Sequence, residues 1–212
     1  MDILLNQEKV RLLPEKALYW YRHKALLLSD LHLGKAAHFR KEGIPVPHAV
    51  QARNLKVLGD LVRACAPERV LFLGDLFHSD FNEAWVSFTE FLYEHPGVSF
   101  ELVLGNHDIL DQQRYFDAGL SLHFEPYLLE PFILSHHPHD ELIDGWYNLH
   151  GHIHPSVSLE GPARQTLRLP CFHFGPYHGI LPAFGAFTGT ARMPVTWEDK
   201  IFVIAEGKVL EM

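Results

Sequence analysis

Ser29-Asp30-Leu31-His32-Leu33-Gly34-Lys35 is the stretch on which the reading of this chain turns. It follows the apolar run from Ala25 to Leu28, which reads as a buried strand, so the Asp and His stand where a strand stops and the backbone turns outward. Chemistry in α/β proteins collects at such ends. Asp30 and His32 are two apart, and an extended backbone puts both side chains on one face, a carboxylate oxygen beside an imidazole nitrogen. One metal ion could take both. Alone, an Asp-x-His pair is also an ordinary polar strand end; its weight comes from what recurs downstream.

Four further apolar runs end in the same way. Arg69 to Leu73 leads into Gly74-Asp75, and Val98 to Leu104 into Gly105-Asn106-His107-Asp108. Phe132-Ile133-Leu134-Ser135 delivers His136, and Tyr147 to His150 leads into Gly151-His152-Ile153-His154. Between them, Leu55, Leu58, Leu61, Val62 and Cys65 repeat at helical spacing and predict a helix over 48–65. Trp85, Phe88 and Leu92 predict another from Phe81 to His95, closed by Pro96-Gly97, and a short one is expected around 111–118. Strands are expected within 8–28, near 120–124 and 126–129, and near 200–205 and 207–210. Residues 35–47 read as a polar, basic connection, and the Gly, Pro and aromatic tail from Phe172 to Thr190 as irregular. The alternation predicts an α/β fold of two mixed sheets packed face to face with helices outside and all motif loops at one edge.

Composition bounds the rest. With 212 residues, 47% hydrophobic and 21% charged, the chain has the balance of one soluble globular domain spanning 1–212. Its start, Met1-Asp2-Ile3-Leu4-Leu5, turns polar at once, and no apolar run reaches membrane-spanning length, so a cytoplasmic protein with no membrane contact is expected. Cys65 and Cys171 match no ligand spacing and fit reduced, buried thiols. The net charge of −8 is uneven: residues 1–70 hold 12 Lys/Arg against 7 Asp/Glu, and the remainder 6 against 19. Sixteen histidines, many in short clusters, point to metal binding.

The donors at the five strand ends mix carboxylate, amide oxygen and imidazole without thiolate. That set suits Mn²⁺, Fe or Zn²⁺ and disfavours a structural cysteine-zinc site. Seven candidate ligands are too many for one tetrahedral ion, which implies two.

The ordered set D-x-H, G-D, G-N-H-[DE], H and G-H-x-H, running from Asp30 to His154, resembles the signature of calcineurin-like metallophosphoesterases. The Asp-Leu-His-Leu-Gly-Lys start, the Gly-Asp-Leu-Phe-His run at 74–78 and the Leu-Pro-Ala-Phe-Gly-Ala-Phe-Thr-Gly run at 181–189 are similar to the small bacterial subgroup of ligase-associated DNA damage response endonucleases. The resemblance implies a four-layer αββα sandwich, two mixed sheets flanked by helices. It implies one ion on Asp30, His32 and His154, another on Asn106, His136 and His152, and Asp75 bridging both. Two such ions, Mn²⁺ foremost, share a bridging water whose proton is lost near neutral pH, a nucleophile for a phosphoryl group. The implied activity is that of a phosphodiesterase or endonuclease on DNA in repair, beside DNA ligase, helicase or exonuclease partners.

His107 is left over as a catalytic candidate that could donate a proton to the leaving oxygen, with Asp108 as the group that orients its ring. Lys35, His38, Arg40 and Lys41 are expected to hold substrate phosphates, and Tyr177, Phe184 and Phe187 could add base stacking. His137 could compete with His136 as a ligand; His78, His139 and His150 have no assigned role. A phosphatase or pyrophosphohydrolase for a nucleotide or lipid-linked diphosphate is the alternative enzyme, because fold and metals do not choose the substrate. A non-catalytic interaction module on the same fold is disfavoured by the filled ligand positions.

Overall fold

A computed structural model describes the chain except residues 42, 44–48, 79–80, 142 and 161–164; of residues 37–38, 41 and 49–52 it describes the backbone alone. The first half runs β1 (Asp2–Leu5), β2 (Glu8–Leu13), β3 (Ala17–Trp20), β4 (Ala25–Leu28), α1 (Lys35–Lys41), α2 (Ala49–Cys65), β5 (Arg69–Leu73), α3 (Glu83–Tyr93), β6 (Ser99–Val103), α4 (Gln112–Asp117) and β7 (Leu120–His123). The second half is all strand: β8 (Tyr127–Leu129), β9 (Phe132–Leu134), β10 (Tyr147–His150), β11 (Pro155–Glu160), β12 (Thr166–Phe174), β13 (His178–Ile180), β14 (Ala191–Arg192), β15 (Lys200–Ala205) and β16 (Lys208–Glu211).

The strands make two mixed sheets. The first is ordered β1 to β7, antiparallel as far as β4 and parallel from β4 to β7. In the second, ordered β14-β11-β12-β13-β10-β9-β8, strand β10 lies parallel to both β9 and β13, and β15 and β16 extend from β12. The parallel strands of the first sheet are apolar on both faces because both faces are covered. Leu26, Leu28, Val70, Phe72, Phe100 and Leu102 pack under Leu58 and Leu61 of α2, Trp85 and Phe88 of α3, and Tyr115 of α4. Their alternates Leu27, Leu71, Leu73 and Val103 meet Phe132, Leu134, Leu149, Phe172 and Phe202 of the second sheet. Helix α3 is capped by Asn82, whose side chain accepts the Ala84 N–H at 2.8 Å and closes the first turn.

Among the described residues all four helices come before β7, and those that pack in the apolar layers cover the first sheet. The expected basic connection contains the short helix α1. The expected irregular tail contains the end of β12 and all of β13, paired to β15 and β10. No helix among the described residues is long and apolar enough to cross a membrane.

Candidate metal centre

Parallel pairing is what gathers the motifs. β4, β5 and β6 run the same way, so Asp30, Asp75 and Asn106 leave the first sheet at one edge; β9 and β10 do the same for His136 and for His152 and His154. The loops are then laced together by the backbone. Asp30 donates its N–H to Gly74 O, His32 to Asp75 O, Gly151 to His136 O, and Gly185 to Asp30 O.

Five of the seven candidate ligands sit in the left-handed region: Asp30 (φ 54°), His32 (48°), Asp75 (51°), His152 (65°) and His154 (56°). Such conformations cost about 1 to 3 kcal/mol each and persist where the surroundings over-determine them. Here the turned backbone aims consecutive donors at one point. The motif glycines leave room for it. A Cβ on Gly74 would lie 2.2 Å from His136 Nδ1, one on Gly105 2.5 Å from Asp75 N, and one on Gly151 2.6 Å from Asp30 Oδ2.

The donors fall into two sets that meet at Asp75. Asp30 Oδ1 is 3.0 Å from His154 Nε2 and 3.9 Å from His32 Nε2, which lies 3.7 Å from Asp75 Oδ2. His136 Nε2 is 3.0 Å from Asn106 Oδ1, 3.1 Å from His152 Nδ1 and 3.3 Å from Asp75 Oδ1. Donors about 2.1 Å from one ion stand roughly 3 to 3.4 Å from one another, so the spacing fits metal coordination. Asp30 Oδ1 and both His32 ring nitrogens are buried without a hydrogen-bond partner, an arrangement that is costly unless something else meets them. These residues fit a pair of divalent ions.

The far sides of the rings fix which nitrogen is free. His136 Nδ1 is 3.1 Å from Leu73 O and His154 Nδ1 3.0 Å from Gly189 O, so each donates Nδ1–H outward and keeps the Nε2 lone pair for the centre. Burial, then the nearby Lys35 charge, push His32 down to about 3, and burial followed by the neighbouring His136 and His137 lowers His152. Both rings are therefore neutral, as metal ligands must be.

His107 stands at the rim. Its side chain is 44% exposed with Nε2 4.0 Å from Asp75 Oδ2, and its N–H donates to Asp75 Oδ1 at 2.9 Å. The ring of His78, a residue without a role in the sequence reading, lies 4.2 Å from that of His107. Asp108 departs from its expected role: its buried carboxylate accepts the N–H groups of Phe77 (3.0 Å) and Gly105 (2.9 Å), and so braces the two motif loops. His150 is fully buried, its Nδ1 3.0 Å from Gly151 O, and burial takes it down to about 4.

Of the expected phosphate contacts, Lys35 is half-buried beside Asp30 and Asp75, and Arg40 is partly exposed on α1. The side chains of His38 and Lys41 lie outside the described residues. The aromatic wall contracts to one residue. Phe184 is buried in the helix-facing core, and Tyr177 precedes β13 at the end away from His150, whereas Phe187 contacts Phe39 of α1 at 5.5 Å. Sequence reading missed Glu125, whose carboxylate accepts the N–H groups of His136 and His137 and meets His137 Nδ1. No spacing signal marks it, because it reaches its partners across the passage from one sheet to the other.

The family model of calcineurin-like phosphoesterases matches residues 23–197. The chain belongs to the calcineurin-like phosphoesterase family. This phosphoesterase is similar over 100% of its length, and 99% of the other chain, to the crystal structure of Pseudomonas putida nuclease MPE, at 28% identity and a TM-score of 0.85. Yfce, a phosphoesterase from E. coli, is 13% identical over 89% of this chain and 97% of the other, with a TM-score of 0.45. Among curated proteins none matches. As a family member the chain is a hydrolase acting on phosphoric esters, in a family that is dinuclear and metal-dependent.

Proposed function

We propose that this phosphoesterase hydrolyses phosphodiester bonds of DNA, with two divalent ions, Mn²⁺ foremost, as its cofactor. The observation that carries the reading is the meeting of the two donor sets at Asp75, whose Oδ1 lies 3.3 Å from His136 and Oδ2 3.7 Å from His32. Asp30, His32 and His154 would hold one ion and Asn106, His136 and His152 the other, with Asp75 contributing to both. When bound, the pair supplies positive charge for phosphoryl oxygens and lowers the pKa of water toward neutrality.

The chain's own residues do the rest. His107, exposed beside Asp75, gives a proton to the leaving oxygen. Lys35 adds positive charge next to the two carboxylates, and α1 with Phe187 forms the wall along which a strand of nucleic acid lies. The likeness to a nuclease over the whole chain favours DNA over a small diphosphate. A cytoplasmic role in repair, beside DNA ligase, helicase or exonuclease partners, belongs to the same reading.

Asp75→Asn is expected to abolish turnover of both single-stranded DNA and a chromogenic diester. His107→Ala is expected to keep both ions and lower kcat on DNA by about 10²- to 10⁴-fold. Metal analysis beside kinetics decides it: a His107→Ala protein without its ions places that ring among the ligands. A wild-type enzyme that cleaves nucleotide diphosphates and leaves DNA intact overturns the substrate.

A further inference from the structure

His137 follows a ligand in sequence, and along a strand its side chain would face away from its neighbour's. The strand, however, has already ended at Leu134. Ser135 Oγ, which accepts from Asn148 Nδ2, donates to His137 O at 2.6 Å, and this turn gathers the imidazoles of residues 136 and 137 on one side. The rings of His136, His137 and His152 form a near-equilateral triangle, with centroids 4.7, 4.5 and 4.9 Å apart. One donor nitrogen from each lies within 4.8 Å of the other two.

Glu125 holds this arrangement. Its Oε2 accepts the N–H groups of His136 (2.8 Å) and His137 (2.9 Å), while Oε1 lies 2.6 Å from His137 Nδ1. A carboxylate at Nδ1 keeps the proton there and leaves Nε2 as the nitrogen with a lone pair to offer. His136 and His154 show the same pattern, with a backbone carbonyl at Nδ1. A plain surface Glu–His pair has no need of two backbone amides to fix its carboxylate.

We propose that His137, oriented by Glu125, is a further protein ligand of the ion held by Asn106, His136 and His152. The inference rests on the two-ion reading above. It makes the centre unequal: this ion has three imidazoles, whereas its neighbour has His32 and His154 with two carboxylates. The imidazole-rich position favours Co²⁺ or Zn²⁺ over Mn²⁺ more strongly than the other does.

The test is a titration of metal-stripped protein with Co²⁺ and with Mn²⁺, read by calorimetry and by the Co²⁺ absorption bands. His137→Ala is expected to bind two equivalents, one with wild-type affinity and the other about 10- to 100-fold more weakly, with altered Co²⁺ bands. Glu125→Gln, which keeps the imidazole, is expected to weaken the same equivalent, and His139→Ala to match wild type. Wild-type affinities and bands in His137→Ala overturn the proposal alone. If that variant does not fold, unchanged affinities in Glu125→Gln overturn it. A wild-type protein that takes up fewer than two equivalents overturns the two-ion reading and this inference with it.

Discussion

Asp108 follows His107 in the chain, yet the two carry different work. Its two oxygens accept separate backbone N–H groups, one from each motif loop, and burial raises its pKa to about 7. Asp108→Asn replaces one acceptor by an amide NH₂ and leaves a buried N–H facing a donor, a loss of about 1 to 3 kcal/mol. Urea unfolding of the metal-loaded variant is expected to show that loss, while kcat of the folded variant stays near the wild-type value. A large loss of kcat at unchanged stability would restore Asp108 as the group that orients the His107 ring. The same economy of space governs the glycines beside it, where a single methyl at residue 105 would press on the Asp75 backbone.

At the scale of elements, α1 is the piece nearest the centre that substrate alone should feel. It begins at Lys35, carries Arg40 and Lys41, and is tied to the tail by the Phe39–Phe187 contact. Replacing Arg40 and Lys41 together by Ala is expected to weaken turnover of single-stranded DNA several-fold, reduce its salt dependence, and leave a small diester nearly untouched. Equal losses on both substrates would assign these residues to the fold or the metals. The strand ends were legible because apolar runs and the residues after them lie together in the chain. Less legible were elements defined by distant partners. β12 contains Pro170, a residue that argues against a strand, and is held by pairing with β11 and β15; β13 contains Gly179, packed against the Phe174 ring. The short helix α1 has no acidic residue in its first turn to announce it, and Glu125 becomes meaningful only once the two sheets are stacked.

The whole molecule is also joined at a second polar seam. Glu101, 5% exposed, takes Arg69 through both oxygens at 2.6 and 2.8 Å and meets His123 Nε2 at 2.9 Å, while Arg69 donates to Tyr127 Oη in the second sheet at 3.2 Å. Burial opposes the Glu101 charge, but Arg69 and His123 outweigh it and hold its pKa below the usual value. A depressed carboxyl stabilises the fold above its unfolded pKa of about 4.3, and that contribution is lost as pH falls through the folded value. Thermal melts of metal-free protein between pH 7 and pH 3 are expected to show Glu101→Gln less stable at neutrality and flatter on acidification; parallel curves for the two proteins would dismiss the linkage. The donor sets carry a related consequence. The first sheet delivers Asp30, His32, Asp75 and Asn106, the second His136, His152 and His154, and neither half owns a complete set. The centre thus works as an interlock: a chain whose two sheets have not yet docked has no place to load its ions, and the hydrolase is armed only once it is folded.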